Sequence, residues 1–306
     1  MLSLSVIIAT RNERKYIGKT LKKVLEARTE AKKRGINTEI IVVDNSSDGT
    51  CVEARRYVES VYNPPSEGVS RARNFGAALA KGNILIFMDA DTALQKHSLV
   101  DVACAFRDTS VVSVVSRVLP YLSGRTPSTT LFYFLDGLYV RLCGYLSVLM
   151  KFYNRGDLTA VRKDVFEKIK GFNEELYMLE ITDMLVKASS YGKARVLSSP
   201  VYESSRRLKQ WGLFRSYKIW WRNYISFFML GHLYDSQYEA CRGKIEIPLI
   251  GSGINSRNRG ILQGNITTLN LLSKLNPFRL SELASSLSFN PSLGVHFAPP
   301  SLAAVR

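Results

Sequence analysis

Apolar and polar positions along this chain fall into blocks whose period switches back and forth. Leu4-Ser5-Val6-Ile7-Ile8-Ala9, Glu39–Val43 and Ile84-Leu85-Ile86-Phe87-Met88 are short apolar runs with little polar alternation. Runs of this kind predict strands buried on both faces of a parallel sheet. Between them lie segments of helical spacing. The first runs from about Glu13 to Lys33, with Ile17, Leu21, Val24 and Leu25 on one face and Gly35 and Asn37 as its stop. Two more are expected at Thr50–Tyr57 and at Gly68–Lys81, the latter stopped by Gly82-Asn83, with a short strand at Val58–Tyr62. Strands alternating with helices predict a doubly wound, mostly parallel α/β sheet flanked by helices.

Beyond Thr92 the pattern loosens. A helix near Ser98–Arg107, a strand at Val111–Ser116, a strand at Asp157–Val161, a short helix at Lys163–Lys170, a helix at Glu180–Tyr191 and a last strand at Ala194–Ser198 are expected. Val118–Met150 holds Pro120, Gly124 and Pro127 and then an apolar stretch rich in Tyr, Phe and Leu. From Arg206 to Tyr224 basic and aromatic residues interleave, and after about Gly251 the composition turns to Ser, Asn, Leu and Gly with no clear period. The expected division is a catalytic unit over 1–205 (1–92 and 93–205 as its halves), a basic-aromatic amphipathic helical segment over 206–250, and a weakly structured tail over 251–306.

Composition narrows the class. At 306 residues, 46% hydrophobic and 22% charged, the chain has room for one large α/β domain and an appendage. A net charge of +16 points to polyanionic partners: phosphorylated ligands, an anionic membrane surface or nucleic acid. Cys51, Cys104, Cys143 and Cys241 form no CxxC pair, so a zinc site or disulfide framework is not expected and a reducing cytosol fits. Met1 leads straight into a strand-like segment, so no signal peptide is expected. The most apolar windows, Leu131–Met150 and Ile219–Tyr234, are broken by Asp136, Arg141 and Arg222, short of the ~20 apolar residues of a spanning helix.

Chemistry gathers where the third apolar run ends, at Asp89-Ala90-Asp91. Burying these carboxylates within the sheet would be costly, which puts them at its carboxyl edge, where open α/β sheets bind ligands. Side chains two apart on an extended chain point the same way. Two hard oxygen ligands there suit Mg²⁺ or Mn²⁺ carrying a phosphate-bearing substrate. The alternative is a pair of aspartates capping the next turn or helix.

Three further pieces change that balance: Ser5–Glu13, Val42–Thr50 and Gly68–Gly76, which with Asp89-Ala90-Asp91 stand in order along the first hundred residues. Together they resemble the nucleotide-sugar-binding half of family 2 glycosyltransferases, whose fold is GT-A; the resemblance extends over roughly residues 4–240. It implies that Thr10, Arg11, Asn12, Glu13, Asp44 and Ser46 hold the nucleoside, since a carboxylate accepts a base N–H or a ribose hydroxyl. It implies that Arg71 and Arg73 approach the base and phosphates, with Arg73 the better match. Asp89 lies near the ribose, and Asp91, with Asp89, takes the metal that bridges the diphosphate. Arg206 and Arg207 would clamp phosphate oxygens. On the acceptor side the family's Glu-Asp, whose Asp is the base of an inverting displacement, appears as Glu180-Ile181-Thr182-Asp183. Ile181 holds the base position, leaving Glu180 and Asp183 as candidates, with Asp157 a further acid.

The expected activity is transfer of a sugar from a UDP- or GDP-sugar to a hydroxyl or phosphate, with polyprenyl-phosphate or a lipid-linked glycan as the membrane-bound acceptor class. Trp220, Trp221, Tyr224, Ile225, Phe227 and Phe228 would form an apolar face for a helix in a membrane interface, with Lys218, Arg222 and Asn223 interrupting it. Leu131–Met150 is a second such element. Peripheral attachment at the cytosolic membrane face is thus expected, and nucleic acid is disfavoured by the sugar-nucleotide pieces upstream. Two other classes are weighed: a nucleotidyltransferase, which would want a Gly-rich basic loop where Thr10-Arg11-Asn12-Glu13 stands, and a non-catalytic sugar-nucleotide or membrane-binding module, suggested by Ile181.

Overall fold

The computed structural model describes residues 2–64, 67–121, 126–145, 157–176, 178–206 and 212–230. The expected tail over 251–306, most of 206–250, and Arg207 lie outside them.

Eight strands form one sheet in the order β3-β2-β1-β4-β7-β6-β8-β5. They are β1 (Ser3–Thr10), β2 (Asn37–Asp44), β3 (Val61–Tyr62), β4 (Ile84–Asp89), β5 (Thr92–Ala93), β6 (Val111–Pro120), β7 (Leu158–Arg162) and β8 (Lys193–Glu203). The amino-terminal half, β3-β2-β1-β4, is wholly parallel, and so is β6 with β8. Contrary to a simple doubly wound pattern, β7 enters between β4 and β6 antiparallel to both, and β5 is antiparallel to β8. Parallel pairings still outnumber antiparallel ones among the described strands.

Apolar runs become central strands because each side of the sheet has its own helical layer. On β4, Ile84, Ile86 and Met88 face a layer with Ile17, Leu21 and Val24 of α1 (Arg14–Lys33), Leu99 of α4 (Ser98–Ala105) and Phe132 of α5 (Pro127–Tyr145). Leu85 and Phe87 face the other layer, with Ala72 and Ala77 of α3 (Val69–Leu79), Phe166 of α6 (Lys163–Lys168) and Ile181, Met184 and Leu185 of α7 (Glu180–Ala188). Two short elements, α2 (Thr50–Ala54) and β3, replace the longer helix and strand expected at Thr50–Tyr57 and Val58–Tyr62. The last described helix is α8 (Leu213–Leu230), and no helix among the described residues is long and apolar enough to cross a membrane.

One glycine sets how close a helix can come. A Cβ on Gly76 of α3 would meet Ile7 Cγ2 at 2.5 Å and Val43 Cγ2 at 3.1 Å, so α3 lies directly on β1 and β2. That contact carries Arg73 under the carboxyl ends of the strands.

Candidate active site

Parallel pairing brings three strand ends into line. Thr10 stands opposite Asp44, and Ala9 stands opposite Asp89, so the carboxyl ends of β2, β1 and β4 form one edge. Asp44 is fully buried. Its Oδ1 accepts hydrogen bonds from the Thr10 and Ser46 hydroxyls, while its Oδ2 is buried with no hydrogen-bond partner. Asn12, at φ 56, turns the loop so that its own N–H donates to Ser46 Oγ at 2.7 Å and Ser47 N–H donates to Asn12 Oδ1 at 3.0 Å. The loop Thr10–Glu13 and the loop after β2 thus clasp each other around a carboxylate with one open lone-pair side.

Beyond β4 the chain turns at Ala90, whose carbonyl accepts from Thr20 Oγ1 at 2.7 Å. The two carboxylates on either side of this turn meet different cations. Asp89 Oδ1 accepts from Arg73 Nη2 at 2.8 Å, while Asp91 Oδ2 lies 3.2 Å from Arg206 Nη2. Asp91 is the more confined of the two, its side chain 14% exposed against 38% for Asp89. Burial, ahead of the charges of Asp89, Glu203 and Glu13, pushes its carboxyl up to about 7 against the pull of Arg206. The same neighbourhood raises Tyr121 to about 12, through burial and then through Asp91.

Arg206 sits as the cation of this acidic pocket. Its guanidinium donates to Glu13 through two hydrogen bonds, one of 2.7 Å from Nη1 to Oε2, and lies over the Tyr16 ring at 4.6 Å from the centroid. Burial works against its charge, but Glu13 and Asp91 hold its pKa above the ordinary arginine range. Arg73 is the second cation, 2% exposed, donating from Nη1 to Glu180 Oε1 at 2.6 Å as well as to Asp89. Glu180, expected as an acceptor-side acid, is therefore one guanidinium away from Asp89 at the end of β4.

Other expected positions are placed less centrally. Asp183 pairs with Lys187 at 2.7 Å along α7, Arg11 with Glu67 at 2.7 Å, and Arg71 with Glu174 at 3.4 Å. Ile181, at the position where an acid was expected, is 2% exposed and packs in the apolar layer with Met184 and Leu185. Asp157 follows on from the Met88–Leu158 pair and so falls beside Asp89 at the same edge. Glu203, Tyr121 and Tyr16 were not singled out from the sequence. Glu203 reaches Asp91 only because β8 pairs with β5, Glu203 opposite Thr92, while Tyr133 of α5 donates to its Oε1 at 2.6 Å. No periodic or motif signal marks that long-range pairing.

A cation suits this pocket by its donor chemistry: a carboxylate raised first by burial and then by three acidic neighbours, and held by a guanidinium. Among the described residues no three His, Cys, Asp or Glu side chains converge on one point. A divalent ion at Asp91 would thus draw the rest of its shell from substrate phosphate and water, as Mg²⁺ commonly does.

The sheet, mostly parallel with acids at its strand ends and joined by an antiparallel insertion, is a mixed α/β fold of the GT-A type, and the family model for glycosyl transferase family 2 matches residues 5–170. The chain belongs to that family. Over 106 residues it is 38% identical to a 4,4'-diaponeurosporenoate glycosyltransferase of Staphylococcus haemolyticus (strain JCSC1435), a match covering 32% of this chain and 26% of that protein. Among solved structures it is similar to the mannosyltransferase PcManGT from Pyrobaculum calidifontis in complex with GDP-Man and Mn²⁺, at TM-score 0.51 and 20% identity over 66% of this chain and 56% of that one. It is equally similar to S. aureus TarS 1-349 in complex with UDP-GlcNAc, at TM-score 0.51 and 20% identity over 66% of this chain and 58% of the other. At such identity the likeness speaks for the GT-A fold alone. The chain spans about a quarter of the curated relative's length and a little over half of each solved structure.

Proposed function

We propose that the chain transfers a sugar from a UDP- or GDP-sugar to an acceptor hydroxyl or phosphate, with inversion and with Mg²⁺ or Mn²⁺. The observation that carries this is the line of carboxylates along adjoining strand ends: Asp44 with its unpartnered Oδ2, then Asp89 and the raised Asp91. Asp44 Oδ2 takes an N–H of the base, a role a buried acceptor without a donor is suited to fill. Thr10 and Ser46 orient that carboxylate through its other oxygen. Asp91, with Asp89 beside it, holds the metal, which when bound neutralises charge on the departing diphosphate. Arg206, already at Asp91, follows the diphosphate oxygens as the cation that shares them, with Arg207 beside it in sequence.

Glu180 is the first candidate for the acceptor-side base and Asp183 the second. Arg73 fixes Glu180 in place, its Nη1 donating to Glu180 Oε1 at 2.6 Å. A polyprenyl-phosphate or lipid-linked glycan at the cytosolic membrane face is the acceptor class favoured. It is supported by α5, which reaches Glu203 through Tyr133 on one side and turns Leu131, Phe134 and Leu138 outward on the other. Ile181 in the core favours a second reading, a chain that binds the donor without transferring it.

Release of nucleoside diphosphate from a panel of UDP- and GDP-sugars, with and without Mn²⁺, separates the readings. Turnover that needs Mn²⁺ and is lost in Asp91→Asn is expected; full activity in that variant would sink the metal role. Glu180→Gln should lower kcat about 100-fold or more with donor KM little changed. Donor binding without release in the parent chain would instead favour the binding module.

A further inference from the structure

Helix α8 carries exposed apolar side chains next to exposed basic ones. Among its described side chains the fully buried ones are Ser216, Asn223 and Ser226, and Trp220 is partly buried. Two of these satisfy themselves on the helix's own carbonyls, Ser216 Oγ donating to Gly212 O at 2.8 Å and Asn223 Nδ2 to Ile219 O at 2.9 Å. Its apolar positions Phe214, Trp221 and Ile225 are 90%, 61% and 56% exposed. These recur at i, i+7 and i+11, which places them on one stripe at about 100° per residue. Arg215, Lys218 and Arg222, spaced i, i+3 and i+7, are all exposed and form a second stripe directly alongside. The expected grouping of both tryptophans on one outward face is corrected here. Trp220 turns inward and packs on Phe132 of α5, ring centroids 5.6 Å apart, so only Trp221 faces out. That contact makes α5 and α8 neighbours, and α5 has its own outward stripe of Leu131, Phe134, Leu135 and Leu138.

Large exposed apolar stripes on adjoining helices are costly in water and mark a surface that is covered in use. The basic stripe running along the apolar one names the cover. We propose that α8, with α5 beside it, docks flat on an anionic lipid bilayer, Phe214, Trp221 and Ile225 entering the headgroup–acyl boundary while Arg215, Lys218 and Arg222 meet lipid phosphates. No helix needs to cross the bilayer for this. Because the same α5 touches Glu203 beside Asp91, docking sets the acidic pocket near the membrane plane. This rests on the acceptor half of the sugar-transfer reading for its use, but flotation reads docking with neither donor nor acceptor present, so either can fail alone.

The full chain is floated with vesicles of neutral phosphatidylcholine and of phosphatidylcholine with phosphatidylglycerol. Flotation is expected on the anionic vesicles, weakened by salt, and about 10-fold or more below the parent chain in Phe214→Glu/Trp221→Glu/Ile225→Glu and in Arg215→Gln/Lys218→Gln/Arg222→Gln. All six positions are exposed, and unchanged circular dichroism and melting confirm that the variants fold. As a second readout, brominated lipid should quench the parent chain's tryptophan fluorescence more than that of Trp221→Phe. No flotation of the parent chain, or equal flotation of the variants, overturns the proposal. So does a dimer in sedimentation velocity, without lipid, that the apolar variant abolishes, since the face would then belong to a second copy.

Discussion

At the scale of single residues, the pocket is built from carboxylates whose partners decide their roles. Asp44 has one oxygen satisfied by hydroxyls and one left open. Asp44→Asn keeps the shape but presents N–H where an acceptor was needed, and should weaken UDP or GDP binding by about 1–3 kcal/mol in titration calorimetry. Unchanged binding would remove Asp44 from the donor pocket. Asp91 is the opposite case, a carboxylate that the fold makes hard to ionise. Its folded value of about 7 lies above the 3.8 of an ordinary aspartate, so between about pH 4 and 7 the folded chain holds a proton that the unfolded chain has lost. Metal-free stability should therefore fall as pH rises through this window, by roughly 4 kcal/mol at most, each unit being about 1.4 kcal/mol. Chemical denaturation across that range should show the fall in the parent chain and not in Asp91→Asn. Mn²⁺ with nucleotide should oppose it above pH 7, because binding replaces the proton.

Elements differ in how plainly the chain announces them. Strands β1, β2 and β4 were legible because both faces are buried, which leaves an apolar run with no alternation. Strand β8 extends to Glu203, five residues past its expected end, because its burial is mixed and its length is fixed by pairing with β6 and β5. In α5 the helix starts at Pro127, a favoured first-turn residue. Helix α3 shows packing controlling position. Gly76→Ala would drive a methyl into Ile7 and Val43 and should cost about 1–3 kcal/mol, read as a lower midpoint in urea. A variant as stable as the parent chain would mean that α3 can lift from the sheet without penalty.

For the whole molecule, Arg73 is the bolt between the halves. It lies on α3, holds Asp89 at the end of β4 and Glu180 on α7, and stacks over Phe172 at 5.6 Å from the ring centroid. Burial opposes its charge, and the carboxylates of Glu180 and Asp89 overcome it. Arg73→Met should destabilise the chain by about 3–5 kcal/mol, less whatever water screens at the more open Asp89, because Glu180, only 13% exposed, is left without its cation. Adding Glu180→Gln should restore part of that loss, and a double-mutant cycle with no coupling would refute the link.

The sequence by itself determined the alternating strands and helices, the fold class, the family resemblance and the acids at the strand ends. These are local facts: an apolar run, a turn residue and a carboxylate two positions on can be read in one window. Tertiary structure alone decided that Asp89 and Asp91 take different cations, Arg73 and Arg206, that Glu203 belongs to the pocket, and that Trp220 faces in while Trp221 faces out. Each of these depends on partners 16 to 193 residues apart or on which side of a helix meets the sheet. Charge pairing and burial are properties of neighbours in space, and the linear pattern carries no record of them.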